Sequence, residues 1–374
     1  MRRILIVGGG IIGMLHAWEA RKRGFDVIHL ESDLEPRSAT VRNLGMIWVT
    51  GRATGPEIEL VLRARSMWEE ITQEAPGVGF RATGALTVLY TDAEVETVRQ
   101  AIERDAGVHG YQLLDPVDAR NINPILQGDF AKALYCPKDA VIEPQAVLPA
   151  LRDVLAGDHY QWHPGVTAVE FGSAWVRGQD GTVYTGDQVI FCVGSSQVGA
   201  SARLLAGMPL QRVRLQMLQT EPLDFRVSTL LSDSLSLHYY PVYDVPARER
   251  MPARPELVSK FGIKLMVAQR ADGSLTIGDT HLYDEPFDFA STEQCYEFIL
   301  DRFTKLTGRP APAVRRRWSG TYAQRTDGEL FLRREIEENV LLATGIGGRG
   351  MGTAPAVAED TFNLICGTPE LRSA

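Results

Sequence analysis

The 374-residue sequence is 44% hydrophobic and 23% charged, with 39 Lys and Arg against 47 Asp and Glu for a formal net charge of −8. This balance excludes disordered, collagen-like and disulfide-stapled miniature classes, and without any block of like charge it disfavours nucleic acid and membrane surfaces as partners. Length predicts about two domains. Cys136, Cys192, Cys295 and Cys366 lie far apart without a CxxC pair, which predicts no zinc or other metal site, no disulfide framework, and a reducing, cytoplasmic setting.

Ile4-Leu5-Ile6-Val7 is a continuous apolar run, as in strands covered on both faces, and it leads into Gly8-Gly9-Gly10-Ile11-Ile12-Gly13, a G-x-G-x-x-G. The opening Arg pair and apolar stretch imitate a secretion signal. Glycines interrupt that stretch, and Glu19 to Arg23 follow without a cleavage pattern, so the segment is read as structure. A helix to Arg23 closes at Gly24, and Asp26 to Leu30 predicts a second strand ending in Glu31. In this β-α-β unit Gly8 permits the tight turn, Gly10 the approach of a pyrophosphate, and Gly13 close helix–strand packing. Glu31, 23 residues after Gly8, is spaced to accept hydrogen bonds from an adenosine ribose and to repel a 2′-phosphate. The unit predicts FAD or NAD and disfavours NADP.

Ser32 to Thr40 is polar, and Val41 to Trp48 is too mixed for a surface helix and predicts a functional loop. Ile58, Val61, Leu62 and Trp68 recur at helical spacing between Pro56 and Glu74. Gly84 to Tyr90 predicts a strand, and Asp92 an N-cap for a charged helix to about Arg104. Val141-Ile142-Glu143-Pro144 precedes a helix through Leu155, followed by strands near 166–171 and 175–177 and a turn at Asp180-Gly181. Gln188 to Gly194 reads as a buried strand. β-like runs at 214–220, 235–240, 263–268 and 275–277 predict an antiparallel sheet in a second domain. Asn339 to Gly345 is again strand-like and opens a glycine-rich loop, Gly345 to Gly352, before a helix to about Leu364. Only 24 residues follow Gly350, too few for a second dinucleotide domain. This strand is expected to rejoin the amino-terminal sheet and present a helix N-terminus to the same cofactor.

The fingerprint with Glu31, Ile142-Glu143-Pro144, the strand ending in Cys192-Val193-Gly194, the strand–turn–strand Gln269 to Gly278 and the Ala343-Thr344-Gly345 loop together resemble the D-amino-acid oxidase family of FAD-dependent oxidoreductases, over essentially the whole chain. Within it, Val41 to Trp48, Leu215 to Thr220, His238-Tyr239-Tyr240-Pro241, Ile277 to His281 and Trp318 to Ala323 resemble the branch associated with bacterial breakdown of 2-aminoethylphosphonate and related aminophosphonates. The implied fold is α/β (α+β). A discontinuous FAD-binding Rossmann-like domain of the glutathione-reductase type (1–78, 140–208 and 318–374) is joined to a substrate domain (79–139 and 209–317) with a mostly antiparallel sheet.

The resemblance implies cofactor contacts at Gly8, Gly10, Ile11, Ile12, Gly13, Glu31, Ser32, Arg42, Asn43, Gly45, Met46, Val166, Cys192, Gly194, Gly345, Gly347, Gly348, Arg349, Gly350 and Met351. It implies catalytic roles for Lys264, Met46 and Arg349, and a substrate wall of Arg325, Tyr240, His238, His281 and Lys264, with Arg325 meeting an anionic group and the tyrosines caging an ammonium. Neither Cys295 nor Cys366 stands in a flavin-attachment context, so FAD is expected to be non-covalent. Flavin N5 accepts a hydride from a carbon bearing a neutral amine, a chemistry that needs no acid–base dyad or metal. The expected reaction is oxidation of the C–N bond of a small anionic amine, 2-aminoethylphosphonate or its N-methyl or 1-hydroxy derivative, with oxygen or another acceptor as partner. Glycine, sarcosine or a D-amino acid is the alternative substrate; an NAD-dependent dehydrogenase and a catalytically silent nucleotide binder are the rival classes.

Overall fold

The computed structural model describes residues 2–283 and 285–367. Strand β1 (Arg3–Val7), helix α1 (Ile11–Lys22) and strand β2 (Asp26–Glu31) form the expected unit, with β1 and β2 parallel and Ile4 opposite Val27. The six-stranded sheet runs Leu332–Glu337, Val340–Thr344, Gln188–Phe191, β1, β2, Tyr160–Pro164, and only Leu332–Glu337 is antiparallel to its neighbour. Alternation along β1 divides its side chains between two cores. Ile4 and Ile6 join a cluster with α1, Val147–Leu155 and Gly350–Ile365, while Leu5 and Val7 face residues of the three-stranded sheet that includes Ala168–Gly172 and Trp175–Gly178. The late strand Val340–Thr344 therefore does rejoin the amino-terminal sheet.

A second sheet of eight strands runs Val314–Arg325, Leu210–Thr220, Leu275–Gly278, Met266–Gln269, Leu230–Asp233, Ala85–Leu89, Lys132–Cys136, Gln112–Leu114. Its neighbours are antiparallel except Leu230–Asp233 beside Ala85–Leu89. One face packs on the helix Glu293–Thr307; the other carries Leu215, Met217, Met266 and Tyr322 toward the first sheet.

Three local expectations are corrected. Residues 235–240 are not a strand: Ser234–His238 is a 3₁₀ turn whose entry is fixed by Asp233 Oδ1 accepting from the Leu235 amide (3.1 Å), and the strand lies just before it, at Leu230–Asp233. Thr91, not Asp92, caps the helix Asp92–Asp105, accepting from the Glu94 amide while Glu94 returns a carboxylate oxygen to the Thr91 amide (3.1 Å). The boundary expected at 318 falls inside Val314–Arg325, which pairs with Leu210–Thr220 along its whole length.

Candidate functional site

A cavity of about 820 Å³ lies between the two sheets. Its walls include Gly8, Gly10, Ile11, Ile12, Glu31 and Ser32 from the β-α-β unit, then Arg42, Asn43 and Met46 from the following loop. Val166, Cys192 and Gly194 contribute from the middle of the chain, and Gly345, Gly347, Gly348, Arg349, Gly350 and Met351 from the last glycine-rich loop. Gly13 and Gly45 are not in the wall but support it. A Cβ on Gly13 would stand 1.8 Å from the Gly8 carbonyl oxygen, and one on Gly45, whose φ is +68°, 2.2 Å from that of Ile142.

The glycine turn is braced by side chains. The Gly9 amide donates to Glu31 Oε2 (2.6 Å), the Asp33 amide to Glu31 Oε1 (2.8 Å), and the Ile11 amide to Thr40 Oγ1 (2.9 Å). His29, a polar residue in the buried run of β2, donates from Nε2 to the Gly8 carbonyl (3.0 Å) and accepts at Nδ1 from the Tyr160 hydroxyl (3.0 Å). Burial lowers its pKa to about 4 against the raising effect of the Gly8 hydrogen bond, so the ring is neutral. Sequence reading missed His29, although a lone polar residue among Val27, Ile28 and Leu30 is the signal that marks it.

The loop after the unit is held by its own polar side chains. Asn43 Nδ2 donates to the Ala39 and Thr40 carbonyls, and Asn43 Oδ1 accepts from the Gly45 amide (2.6 Å). Arg42 donates to the Arg37 and Ser319 carbonyls (2.6 and 2.9 Å). Both residues reach the cavity wall, but much of their hydrogen-bonding capacity shapes the loop. Met46 pairs with Val141.

At the other end of the cavity, Lys264 is nearly fully buried, with Nζ 3.6 Å from the Tyr239 ring centre and 5.2 Å from that of Tyr240. The same ammonium stands 3.4 Å from His281 Nε2 and 3.8 Å from Asp279 Oδ1. Burial raises the Asp279 pKa, with Lys264 opposing; burial and the Lys264 charge both drive that of His281 well below its usual 6.5. His281 is thus neutral and accepts the Lys264 proton at Nε2. Asp279 Oδ1, His281 Nδ1 and the Tyr322 hydroxyl are buried without hydrogen-bond partners among the described residues, and all three residues line the cavity. The tyrosine cage expected for a substrate ammonium is therefore filled in part by Lys264 itself.

A second group of cations adjoins the first. Arg349 Nε bonds Glu57 Oε1 (2.8 Å), Arg52 Nη1 lies 3.3 Å from the same oxygen, and the Arg52 guanidinium is 5.9 Å from the Tyr240 ring centre. Burial alone would raise the Glu57 pKa, but Arg52 and Arg349 outweigh it and the carboxylate is held low. Sequence reading missed Arg52 and Glu57, which follow the loop it singled out. His238 lines the cavity half-buried, near the exposed Arg254, which has no ion-pair partner among the described residues. Arg325 differs from expectation: it is outside the wall, and its guanidinium closes on the Asp327 carboxylate (2.7 Å from Nε) and the Phe331 carbonyl (3.1 Å) rather than facing the cavity. Cys295 is buried behind the second sheet and Cys366 is exposed; Cys192 alone of the four cysteines reaches the cavity.

The family model described as "FAD dependent oxidoreductase" (DAO) matches residues 3–364. The chain belongs to the DAO family. Among curated DAO-like relatives it is 27% identical to an opine oxidase component of Rhizobium meliloti over 44% of this chain and 48% of the relative, and 26% identical to the bifunctional protein ThiO/ThiG of Trichormus variabilis over 96% and 51%. The chain thus spans about half the length of these relatives. A Bacillus licheniformis glycine oxidase is 21% identical over 98% of this chain and 93% of its own. The solved glycine oxidase of Geobacillus kaustophilus superposes with a TM-score of 0.79 at 19% identity, covering 98% and 95% of the two chains, and L-proline dehydrogenase of P. horikoshii with 0.80 at 21%, covering 99% and 95%; they share the DAO fold. FAD is the cofactor of the family, which removes the NAD-dependent reading.

The residues present fit FAD. A Cβ on Gly10 would meet only Thr40 Oγ1 (3.3 Å), so the turn is open to the cavity where a pyrophosphate approaches, and two long helices, α1 and Gly350–Ile365, begin at the wall. Glu31 lines the same cavity, where its carboxylate would meet a ribose.

Proposed function

We propose that this DAO-family protein oxidises the C–N bond of a small amine bearing an anionic group, most specifically an aminophosphonate. The amine, water and oxygen would give an aldehyde, ammonia or an alkylamine, and hydrogen peroxide. Bound FAD, held non-covalently, supplies a hydride acceptor at N5. The observation that carries the reading is the charge at one end of the cavity: Lys264, Arg52, Arg349 and Arg254 stand against Glu57 and Asp279. Such an excess suits a phosphonate, which approaches a dianion, and guanidiniums bind its oxygens bidentately. In this reading Arg52, Arg349 and Lys264 hold the anion. Asp279 Oδ1, which accepts no hydrogen bond among the described residues and whose pKa burial raises, is available to hold the proton that the substrate ammonium must release before its carbon yields a hydride. The finer substrate assignment rests on the motif resemblance. Similarity to a glycine oxidase supports the alternative, glycine, sarcosine or a D-amino acid.

The cytoplasmic setting belongs to the same proposal, supported by four free cysteines of which three are buried. Among the described residues, no helix is long and apolar enough to cross a membrane. Anaerobic titration of the FAD-loaded protein with 2-aminoethylphosphonate, its N-methyl and 1-hydroxy derivatives, glycine and sarcosine tests the reading. Bleaching of the oxidised-flavin band by a phosphonate alone supports it. Bleaching by the amino acids alone transfers the assignment to the alternative, and no bleaching by any of them refutes the phosphonate, glycine and sarcosine readings.

A further inference from the structure

A second cavity of about 430 Å³ lies at the far side of the loop that lines the first, and nothing in the reaction above employs it. Three arginines line it. Arg270 is nine-tenths buried, donates to the Leu44 carbonyl (2.9 Å) and the Ile142 carbonyl (3.3 Å), and retains a buried Nε without a hydrogen-bond partner among the described residues. Its carboxylate, Glu143, is 3.8 Å away and is already engaged at 2.9 Å by Arg81. Burial lowers the Arg270 pKa to about 10 with Glu143 opposing and Arg81 adding to the effect, which marks a guanidinium short of negative charge. Arg226, exposed at the rim, makes no ion pair or hydrogen bond among the described residues, and Asp224 is the one carboxylate in the lining. The remaining wall is mixed, with Leu223, Phe225, Val227 and Leu230 forming an apolar stretch beside Thr83, Thr229 and Gln269.

Guanidiniums beside an apolar stretch suit an oxyanion head on a short apolar body. We infer that this cavity binds a small organic acid, its carboxylate between Arg226, Arg81 and Arg270 and its body against Phe225 and Val227. The site shares no lining residue with the cofactor cavity, and Leu44, which lines that cavity, accepts from Arg270, which lines this one.

Hexanoate is the probe, titrated calorimetrically into the FAD-loaded full chain, with 1-hexanol as the uncharged control. Saturable binding of hexanoate but not hexanol is expected in the wild-type protein and in Lys264→Met, whose change lies in the first cavity. Arg226→Ser, at an exposed position, is expected to weaken it ten-fold or more. Undiminished affinity in Arg226→Ser, loss of binding in Lys264→Met, equal binding of hexanol, or no binding at all each overturns the inference. Should Lys264→Met not fold, the Arg226→Ser comparison decides alone.

Discussion

Two alanine substitutions in the glycine turn separate what the fold requires from what the cofactor requires. In Gly13→Ala the new methyl would stand 1.8 Å from the Gly8 carbonyl oxygen and 3.2 Å from His29 Nε2. Restoring ordinary contact demands that α1 retreat from β1 by about 1.5 Å, and α1 is held by a buried face against Gly350–Ile365. Overpacking of this kind costs about 1–3 kcal/mol, and it also displaces the carbonyl that His29 holds. Gly10→Ala is different. Gly10 has extended backbone angles (φ −69°, ψ 179°) that alanine accepts, and its methyl meets only Thr40 Oγ1 at 3.3 Å. The folded chain should lose no more than ~0.5 kcal/mol. The methyl nevertheless occupies the approach of the pyrophosphate, and losing one charge-assisted amide contact of about 1.5–3 kcal/mol weakens FAD about 10- to 100-fold. Urea unfolding of the flavin-stripped proteins and FAD titration by fluorescence quenching measure the two quantities. A Gly13→Ala protein that unfolds at the wild-type urea concentration, or a Gly10→Ala protein that binds FAD as tightly as wild type, refutes the reasoning.

Burial lowers the pKa of His16 and His29 to about 4, and the unfolded value is about 6.5. The unfolded chain therefore takes up protons that the native chain refuses, and stability, complete above about pH 6.5, falls toward pH 4 by ~1.4 kcal/mol per pH unit for each histidine. His16→Gln should show a shallower decline in urea midpoint over that range, and an unchanged slope contradicts it. Arg52→Met, which removes one cation beside Glu57, should raise the Kd of the anionic amine ten-fold or more while FAD affinity stays within about two-fold; anaerobic titration reads both. Thr91→Ala removes the capping hydroxyl and should cost about 1 kcal/mol in urea unfolding without altering flavin reduction by substrate.

Much of the cofactor side was legible because it is written in local pattern. A strand covered on both faces, glycines at fixed spacing and a terminal carboxylate are contiguous between Ile4 and Glu31, and the wall of the cavity contains most of the residues named from that unit. The amine side was legible only in part. Lys264 alternates with apolar residues in a way that marks an inward-facing position, His281 follows from the resemblance, and both reach the cavity. Arg325 follows from the family layout alone, and Asp327 two residues later captures it, a short-range competitor easily overlooked beside a strand. Arg52 and Glu57 flank a turn with no periodicity, and only the long-range contact with Arg349 reveals their purpose. The strand at Leu230–Asp233 was displaced in the reading because the apolar run after it is equally β-like, and Asp233 decides the matter by capping a 3₁₀ turn.

The interleaving of the first sheet has a consequence for biosynthesis. β1 lies between β2 and Gln188–Phe191, with Val340–Thr344 one strand further out, and α1 rests on Gly350–Ile365. The glycine turn leaves the ribosome well before the outer strand Val340–Thr344 and the helix Gly350–Ile365, which emerge more than 300 residues later, roughly half a minute at about 10 residues per second. During that interval Val147–Leu155 can already cover part of the apolar side of α1, and only the part that rests on Gly350–Ile365 stays open. Cofactor capture then waits for the late loop from Gly345 to Met351 that completes the cavity wall, and slowing translation should raise the aggregated fraction more than it lowers the affinity of the molecules that mature.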